Sequence, residues 1–236
     1  KVEWDEGANA GLTTKAMFDG TRAALASGKP ITFKKTGDAA GAVAAAGDKA
    51  VRRQYMTQML SHSPMEPMNF TAHVQADKAL LVGPTQWPDA VQGTVAKILG
   101  LQPAQVTVEN TFLGGGFGRR IDFDYIIQAA LISKAVGKPV KLIWSREDDL
   151  QHDFYRPLAV HELAATVGAD GKPTALTWKV ASQSVTARVF GIPPEAPDAL
   201  MTEAAVPLYD IPAAQHDMIK HDAGVRVGYW RAVSHN

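Results

Sequence analysis

Apolar residues recur at helical spacing in four parts of the chain. Residues 11–27 carry Leu12, Ala16, Met17, Ala23, Ala24 and Ala26 and end at Gly28 and Pro30, and the alanine-rich segment 38–46 predicts a second, shorter helix. Pro88 stands at a first-turn position ahead of Val91, Val95, Ile98 and Leu99, with Gly100 closing that helix. The clearest helix opens on Asp122 as its cap. Its apolar positions Phe123, Ile126, Ile127, Ala130 and Leu131 fall at i, i+3, i+4, i+7 and i+8, and Gly137 and Pro139 end it.

Between these helices the period changes to two. Strands are predicted over Ile31 to Lys35, Arg52 to Met59, Phe70 to Gln75, Ala79 to Val82, residues 105–112 and Val140 to Trp144, with Asp77-Lys78 as a hairpin turn. Residues 158–167 and 174–188 read as two long strands joined at Ala169-Asp170-Gly171-Lys172-Pro173. Residues 191–212 are proline-rich and read as an irregular surface excursion, and no repeat is visible. Interleaved helices and strands of this kind predict an α+β fold, with mixed sheets and packed helices. A subdomain break is expected near residues 146–157, where Glu147-Asp148-Asp149 reads as a helix first turn or a solvated loop.

One segment falls outside both periods. Leu113-Gly-Gly-Gly-Phe-Gly-Arg-Arg120 lies between a predicted strand and the Asp122 helix. Adjacent glycines can turn several N–H groups into one concavity and leave no Cβ in the way, which suits an anion or a polar cofactor. Gly114-x-Gly116 has Arg119 where a dinucleotide loop needs its third glycine, and no Gly-Lys-Ser/Thr follows, so the common nucleotide fingerprints fail. Read from residues alone, a merely conformational bend with solvated arginines remains open.

Composition narrows the chemistry. Of 236 residues, 46% are apolar and 20% charged, enough for a sizeable core. Lys plus Arg and Asp plus Glu stand at 24 each, so no positive field gathers nucleic acid, which is not expected as a partner. The absence of cysteine excludes disulfides, cysteine nucleophiles, thiolate zinc sites and any iron–sulfur cluster held by this chain. His152, His161, His216 and His221 show no i, i+4 ligand spacing, and no metal ligand is expected from this chain. The start at Lys1 without methionine and the end at Asn236 just after an aromatic-basic stretch suggest a fragment of a longer protein.

Four motifs occur in order: His62-Ser-Pro-Met-Glu66-Pro67, Pro84-Thr85-Gln86, Gly114 to Arg120, and Gly228-Tyr-Trp-Arg231. This order resembles the molybdenum-binding subunit of the xanthine dehydrogenase and aldehyde oxidase family, most of all its bacterial isoquinoline 1-oxidoreductase β-like branch. The resemblance covers essentially the whole chain and implies that residues 1–236 are part of a molybdopterin-binding domain. It implies that Gly115, Gly116, Phe117, Gly118 and Arg119 line the pterin cofactor, that Arg119 or Arg120 meets its phosphates, and that Arg231 and Ala232 belong to a second cofactor loop. Gln86 stands 31 positions before Phe117, the family offset for an amide that hydrogen-bonds an oxygen ligand of molybdenum. At least one of Gly116 and Gly118 is expected at positive φ, each within contact of the pterin. His62 and Glu66 match a family His-x-x-x-Glu position and are expected to be structural.

The chain departs from the purine-oxidising pattern at two pocket positions. Ile121 stands where those enzymes carry a substrate-binding glutamate, and Val233 where an aromatic pocket residue is usual, which disfavours purines and implies an aliphatic pocket wall. The general-base glutamate lies beyond this chain. The resemblance implies a molybdenum hydroxylase oxidising an aldehyde or N-heterocycle with water-derived oxygen, using molybdopterin cytosine dinucleotide, with no stoichiometric cofactor on this segment in isolation. Implied partners are the remainder of its own large subunit and a small [2Fe-2S] subunit, with a cytochrome c or flavin subunit as a further candidate. The compartment is left open, the bacterial periplasm being favoured over the cytoplasm for a soluble or peripheral protein. Two other classes stay open: a non-catalytic scaffold module of this fold, and a phosphate- or nucleotide-binding enzyme using the glycine loop.

Overall fold

A computed structural model describes every residue except 1, 2, 4, 6, 204, 205, 207, 232, 233, 235 and 236. The chain forms two compact units, the first built from residues 1–60, 156–227 and 232–236, the second from 61–155 and 228–231. Its elements in chain order begin with α1 (Thr14–Ser27), β1 (Ile31–Thr36), α2 (Ala39–Ala46) and β2 (Val51–Thr57). The second unit then contributes β3 (Asn69–Val74), β4 (Ala79–Gly83), α3 (Pro88–Leu99), β5 (Val106–Asn110), α4 (Asp124–Val136), β6 (Val140–Ile143) and α5 (Arg146–Gln151). The first unit is completed by β7 (Ala159–Val167), β8 (Pro173–Ser182), α6 (Val185–Phe190), α7 (Ala199–Thr202) and β9 (Ala213–Lys220). Two mixed sheets with packed helices make the class α+β, as the periodicities imply.

The first unit is a five-stranded sheet in the order β1-β9-β8-β7-β2, with β8 and β9 parallel and the other pairs antiparallel. Helices α1 and α2 cover one face. Leu25 packs with Val160, Ala181 and Ile219, and Ala39 and Val43 pack with Ala164 and Ala175. Two expectations are corrected here. The long strand 174–188 stops at Ser182, because Ser184 accepts from the Ala187 N–H at 3.0 Å and caps α6, which Gly191 ends at φ +63°. Beyond the proline-rich excursion lies β9, which the sequence reading does not contain.

The second unit is a four-stranded sheet in the order β5-β4-β3-β6. Helix α3 carries the chain from β4 to β5, so those two strands are parallel, as a crossover requires. Its core joins Met68, Phe70, Ala72 and Leu81 to Val91 and Val95 of α3 and to Ile126, Ala129 and Ala130 of α4. Each of the larger side chains, once buried, contributes about 1.5–3 kcal/mol. The expected Asp122 cap is corrected: α4 begins at Asp124 after Phe123, and residues 119–121 form a separate 3-10 turn for which Asp122 is the closing residue. That turn is tied by the Ile121 N–H to the Gly118 carbonyl at 3.0 Å, which delays the helix by one residue. The chain returns to the first unit between Tyr155 and Arg156.

Candidate cofactor site

The glycine loop leaves the end of β5 and is held by backbone and side-chain bonds from three directions. Gly115, Phe117 and Gly118 have φ values of +104°, +56° and +109°. Phe117 is one of two non-glycine residues at positive φ among the described residues, a conformation costing about 1–2 kcal/mol for an L-residue. Glu66 grips the loop at two points: its N–H donates to the Gly114 carbonyl at 3.1 Å, and its Oε2 accepts from the Gly114 N–H at 2.8 Å. The Phe117 ring is left 43% exposed beside the loop.

Gln86 enters from the turn between β4 and α3. Its backbone N–H donates to the Arg120 carbonyl at 3.0 Å, and its Oε1 accepts from the Gly118 N–H at 3.1 Å and the Arg120 N–H at 3.2 Å. Two backbone donors on one oxygen fix which way the carboxamide faces, because the flipped amide would set N–H against N–H. The Nε2 group therefore points away from the loop backbone on an exposed side chain, with no hydrogen-bond partner among the described residues. A Cβ at Gly116 would meet the Gln86 Oε1 at 2.5 Å, so this glycine makes room for the glutamine.

Arg119 and Arg120 face inward, which corrects their expected role toward cofactor phosphates. Both are fully buried. Arg119 forms a forked pair with Asp124 at 2.9 and 3.1 Å, brings its Nε to 3.0 Å from Asp153, and sits 5.2 to 5.8 Å from the rings of Phe154, Trp144 and Tyr125. Burial alone would lower its proton affinity, but Asp124, Asp153 and Asp122 outweigh that and raise it. Arg120 donates to the Gly115 carbonyl at 2.8 Å and to the carbonyl and carboxylate of Glu66, both at 2.9 Å. Arg120 thus fastens the loop from behind, while Arg119 ties the turn that follows it to Asp124 and Asp153. Burial pushes the Tyr125 phenol between them up to about 12.

The second motif, Gly228 to Arg231, belongs to this same unit. The Tyr229 carbonyl accepts from His62 Nε2 at 2.7 Å, while His62 Nδ1 lies 3.0 Å from both oxygens of Asp153. The Trp230 ring lies 4.5 Å from the His62 ring, tilted by 33°. A Cβ at Gly118 would run into the Tyr229 carbonyl, so the positive-φ glycine at 118 is needed for the crossing of two chain segments. The space expected for the pterin at Gly116 and Gly118 is thus filled, at the Cβ positions, by Gln86 and Tyr229.

Arg231 is exposed at the end of this segment, and Ile121 is half-buried in the 3-10 turn. Ala232 and Val233 lie outside the described residues. The structure therefore brings Gln86, the glycine loop and the Tyr229–Arg231 segment into one unit. Sequence reasoning missed the part played by Asp153 and Asp124 and the depth of His62. A detectable signal was the pair Arg119-Arg120 followed by aromatic residues, since guanidinium groups among aromatics need acid partners. No group of three or more His, Cys, Asp or Glu among the described residues could hold a metal ion, and no helix among them is long and apolar enough to cross a membrane.

Residues 24–220 match the molybdopterin cofactor-binding domain, and the chain belongs to that family, within the xanthine dehydrogenase and aldehyde oxidoreductase group. It is 35% identical over 189 residues to the isoquinoline 1-oxidoreductase subunit beta of Brevundimonas diminuta, covering 76% of this chain and 24% of that protein. It is 31% identical over 183 residues to a membrane-bound aldehyde dehydrogenase (pyrroloquinoline-quinone) of Gluconacetobacter polyoxogenes, covering 77% and 24%. The chain thus spans about a quarter of the length of these relatives. Among solved structures, quinoline 2-oxidoreductase from Pseudomonas putida 86 superimposes with a TM-score of 0.70 at 19% identity, over 89% of this chain and 28% of that one. At that identity the likeness is one of fold.

Proposed function

We propose that this chain forms the pterin-facing part of a molybdenum hydroxylase large subunit that oxidises an aldehyde or N-heterocycle with oxygen taken from water. The observation that carries the reading is the orientation of Gln86: an uncharged amide locked by two loop N–H groups, with its own NH2 turned outward. Such a donor meets an oxygen ligand of a metal without adding charge. Gly115, Gly116, Phe117 and Gly118 form the adjoining wall, and Arg231 the exposed guanidinium nearest in sequence to the second loop. When bound, the cofactor supplies the two-electron redox chemistry, and the protein supplies orientation and hydrogen bonding.

The residues present fit that group through the outward amide of Gln86 and the exposed Phe117 beside it, the Cβ positions of Gly114, Gly116 and Gly118 being taken up by Glu66, Gln86 and Tyr229. They do not fit phosphate recognition by Arg119 or Arg120, whose charges are already balanced. The cytosine dinucleotide form, proposed on the isoquinoline-type kinship, would therefore draw its phosphate contacts from elsewhere in the large subunit. The general-base glutamate, and a small [2Fe-2S] subunit for electron transfer, are likewise proposed from that kinship. Ile121 in place of an acid supports aldehydes or N-heterocycles over purines, since it offers no charge to a purine edge.

The test is turnover of an aldehyde and of an N-heterocycle by the intact protein in 18O-labelled water. One labelled oxygen in the product, with molybdenum bound about one per large subunit, is the expected result. A product whose new oxygen is unlabelled, or full turnover without molybdenum, overturns the proposal.

A further inference from the structure

Both ring nitrogens of His62 face oxygen atoms that can only accept. Nε2 is 2.7 Å from the Tyr229 carbonyl and Nδ1 is 3.0 Å from the Asp153 carboxylate. A neutral imidazole carries one proton, so either tautomer would leave a lone pair pressed against an acceptor at one end. Turning the ring over would withdraw both nitrogens from these partners. The proton cannot sit on Asp153 instead, because its oxygens already receive the His62 N–H at 2.5 Å, the Phe154 N–H at 2.7 Å and the Ser61 hydroxyl at 2.8 Å, with the Arg119 guanidinium in ion-pair contact at 3.0 Å. Burial would push that carboxyl up, but the hydrogen bonds from His62 and Ser61 hold it below its ordinary value.

From this geometry we infer that His62 is a buried, doubly protonated imidazolium that positions the Tyr229–Arg231 segment against the glycine loop. The inference rests on the proposed function only for its consequence in cofactor binding. His62 and Arg119 stand against Asp153 and the partly exposed Asp124, so each of the two buried cations has a carboxylate in contact. Asp122 also acts on Arg119, and Asp149 lies in the field of Asp153 and is itself paired with Arg146 at 2.5 Å. The Tyr229 carbonyl held by this imidazolium is the one that lies against Gly118. A single charged ring therefore sets where the two cofactor segments cross, and Trp230 closes over its face.

Two measurements on the intact protein in its native assembly test this. The first is the nitrogen spectrum of 15N-histidine-labelled protein at about pH 7.5, where an ordinary imidazole is mostly neutral. One ring with both nitrogens protonated is expected, and its signals should vanish in H62Q; a neutral ring at His62 overturns the inference whether or not the cofactor reading holds. The second compares two variants. His62→Gln keeps a donor at the reach of Nε2 toward Tyr229, whereas His62→Asn keeps only one near Nδ1 toward Asp153. If positioning works through Tyr229, pterin content should stay within about twofold of wild type in H62Q and fall about tenfold in H62N, one charge-assisted hydrogen bond's worth. A merely structural ring would lower both alike or spare both, and either result overturns the positioning role.

Discussion

Gly118 faces the carbonyl oxygen of Tyr229 with no room for a Cβ between them. The glycine loop and the Gly228–Arg231 segment, more than one hundred residues apart in sequence, are therefore in backbone contact at a residue that also stands at φ +109°. Steric exclusion and backbone conformation select glycine at the same place.

Gly118→Ala is expected to destabilise the protein by about 3 kcal/mol, combining the left-handed penalty with overpacking. Gly137→Ala is the control: φ is +65° there but a Cβ meets nothing within 4 Å, so only the conformational cost of about 1 kcal/mol applies. Urea denaturation of both variants checks the difference. Equal losses would mean that the crossing at Tyr229 relaxes freely.

Gln86→Glu and Gln86→Ala should separate two jobs. Glutamate can still accept the Gly118 and Arg120 N–H groups, so the loop should hold its shape while the outward donor is lost. We expect turnover to fall by about 100- to 1,000-fold, as for a single oriented donor in a preorganised site, with molybdenum content retained. Alanine leaves two backbone N–H groups unpaired and should also lower cofactor content. Steady-state kinetics with metal analysis reads both effects, and unchanged turnover in a metal-replete Q86E contradicts the role.

Arg119→Met should cost about 3–5 kcal/mol, because it removes one cation from the buried Asp153 and leaves Asp124 without its forked partner. The double variant carrying Asp124→Asn as well should recover part of that loss. Thermal unfolding of the single and double variants checks this; a single-variant loss under about 1 kcal/mol, the range of a surface pair, would show that the guanidinium is solvated.

His161 supplies a pH dependence in the first unit. Burial lowers its proton affinity from the usual imidazole value to about 4, and its Nδ1 accepts from the Trp178 indole at 3.1 Å. The unfolded chain binds this proton more readily, so stability is full above about pH 6.5 and is lost as pH falls toward about 4, by up to about 3 kcal/mol. His161→Gln retains an acceptor for Trp178 without titrating. Denaturation midpoints between pH 7 and 4 should fall less steeply in H161Q than in wild type; parallel curves would exclude His161 as the source.

Local pattern made most of the fold legible and little of what braces the site. The 3.6-residue period places α1, α3 and most of α4 because each buries one face, and Gly100 and Gly137 stop their helices in the expected left-handed conformation. Residues 185–188 read as the end of a strand because Val185 and Thr186 are β-formers, and only the Ser184 cap and Gly191 reveal the helix. β9 escaped because Gln215, His216 and Asp217 mask its alternation, and its place is set by pairing with β8 and β1. At the site, the spacing of Gln86 from Phe117 could be read by resemblance. The partners that turn Arg119 and Arg120 inward could not, since Glu66 and Asp153 come from distant segments joined only by the sheet and α5.

On the proposed function, the outward amide of Gln86 meets the metal end of a molybdopterin cofactor. The most direct measurement is a high-resolution structure of the intact, cofactor-loaded protein. Gln86 Nε2 is expected about 3 Å from an oxygen ligand of molybdenum, with Oε1 still accepting from the Gly118 and Arg120 N–H groups. A cofactor bound away from this loop, or a Gln86 amide turned so that Nε2 faces the loop backbone, would contradict it.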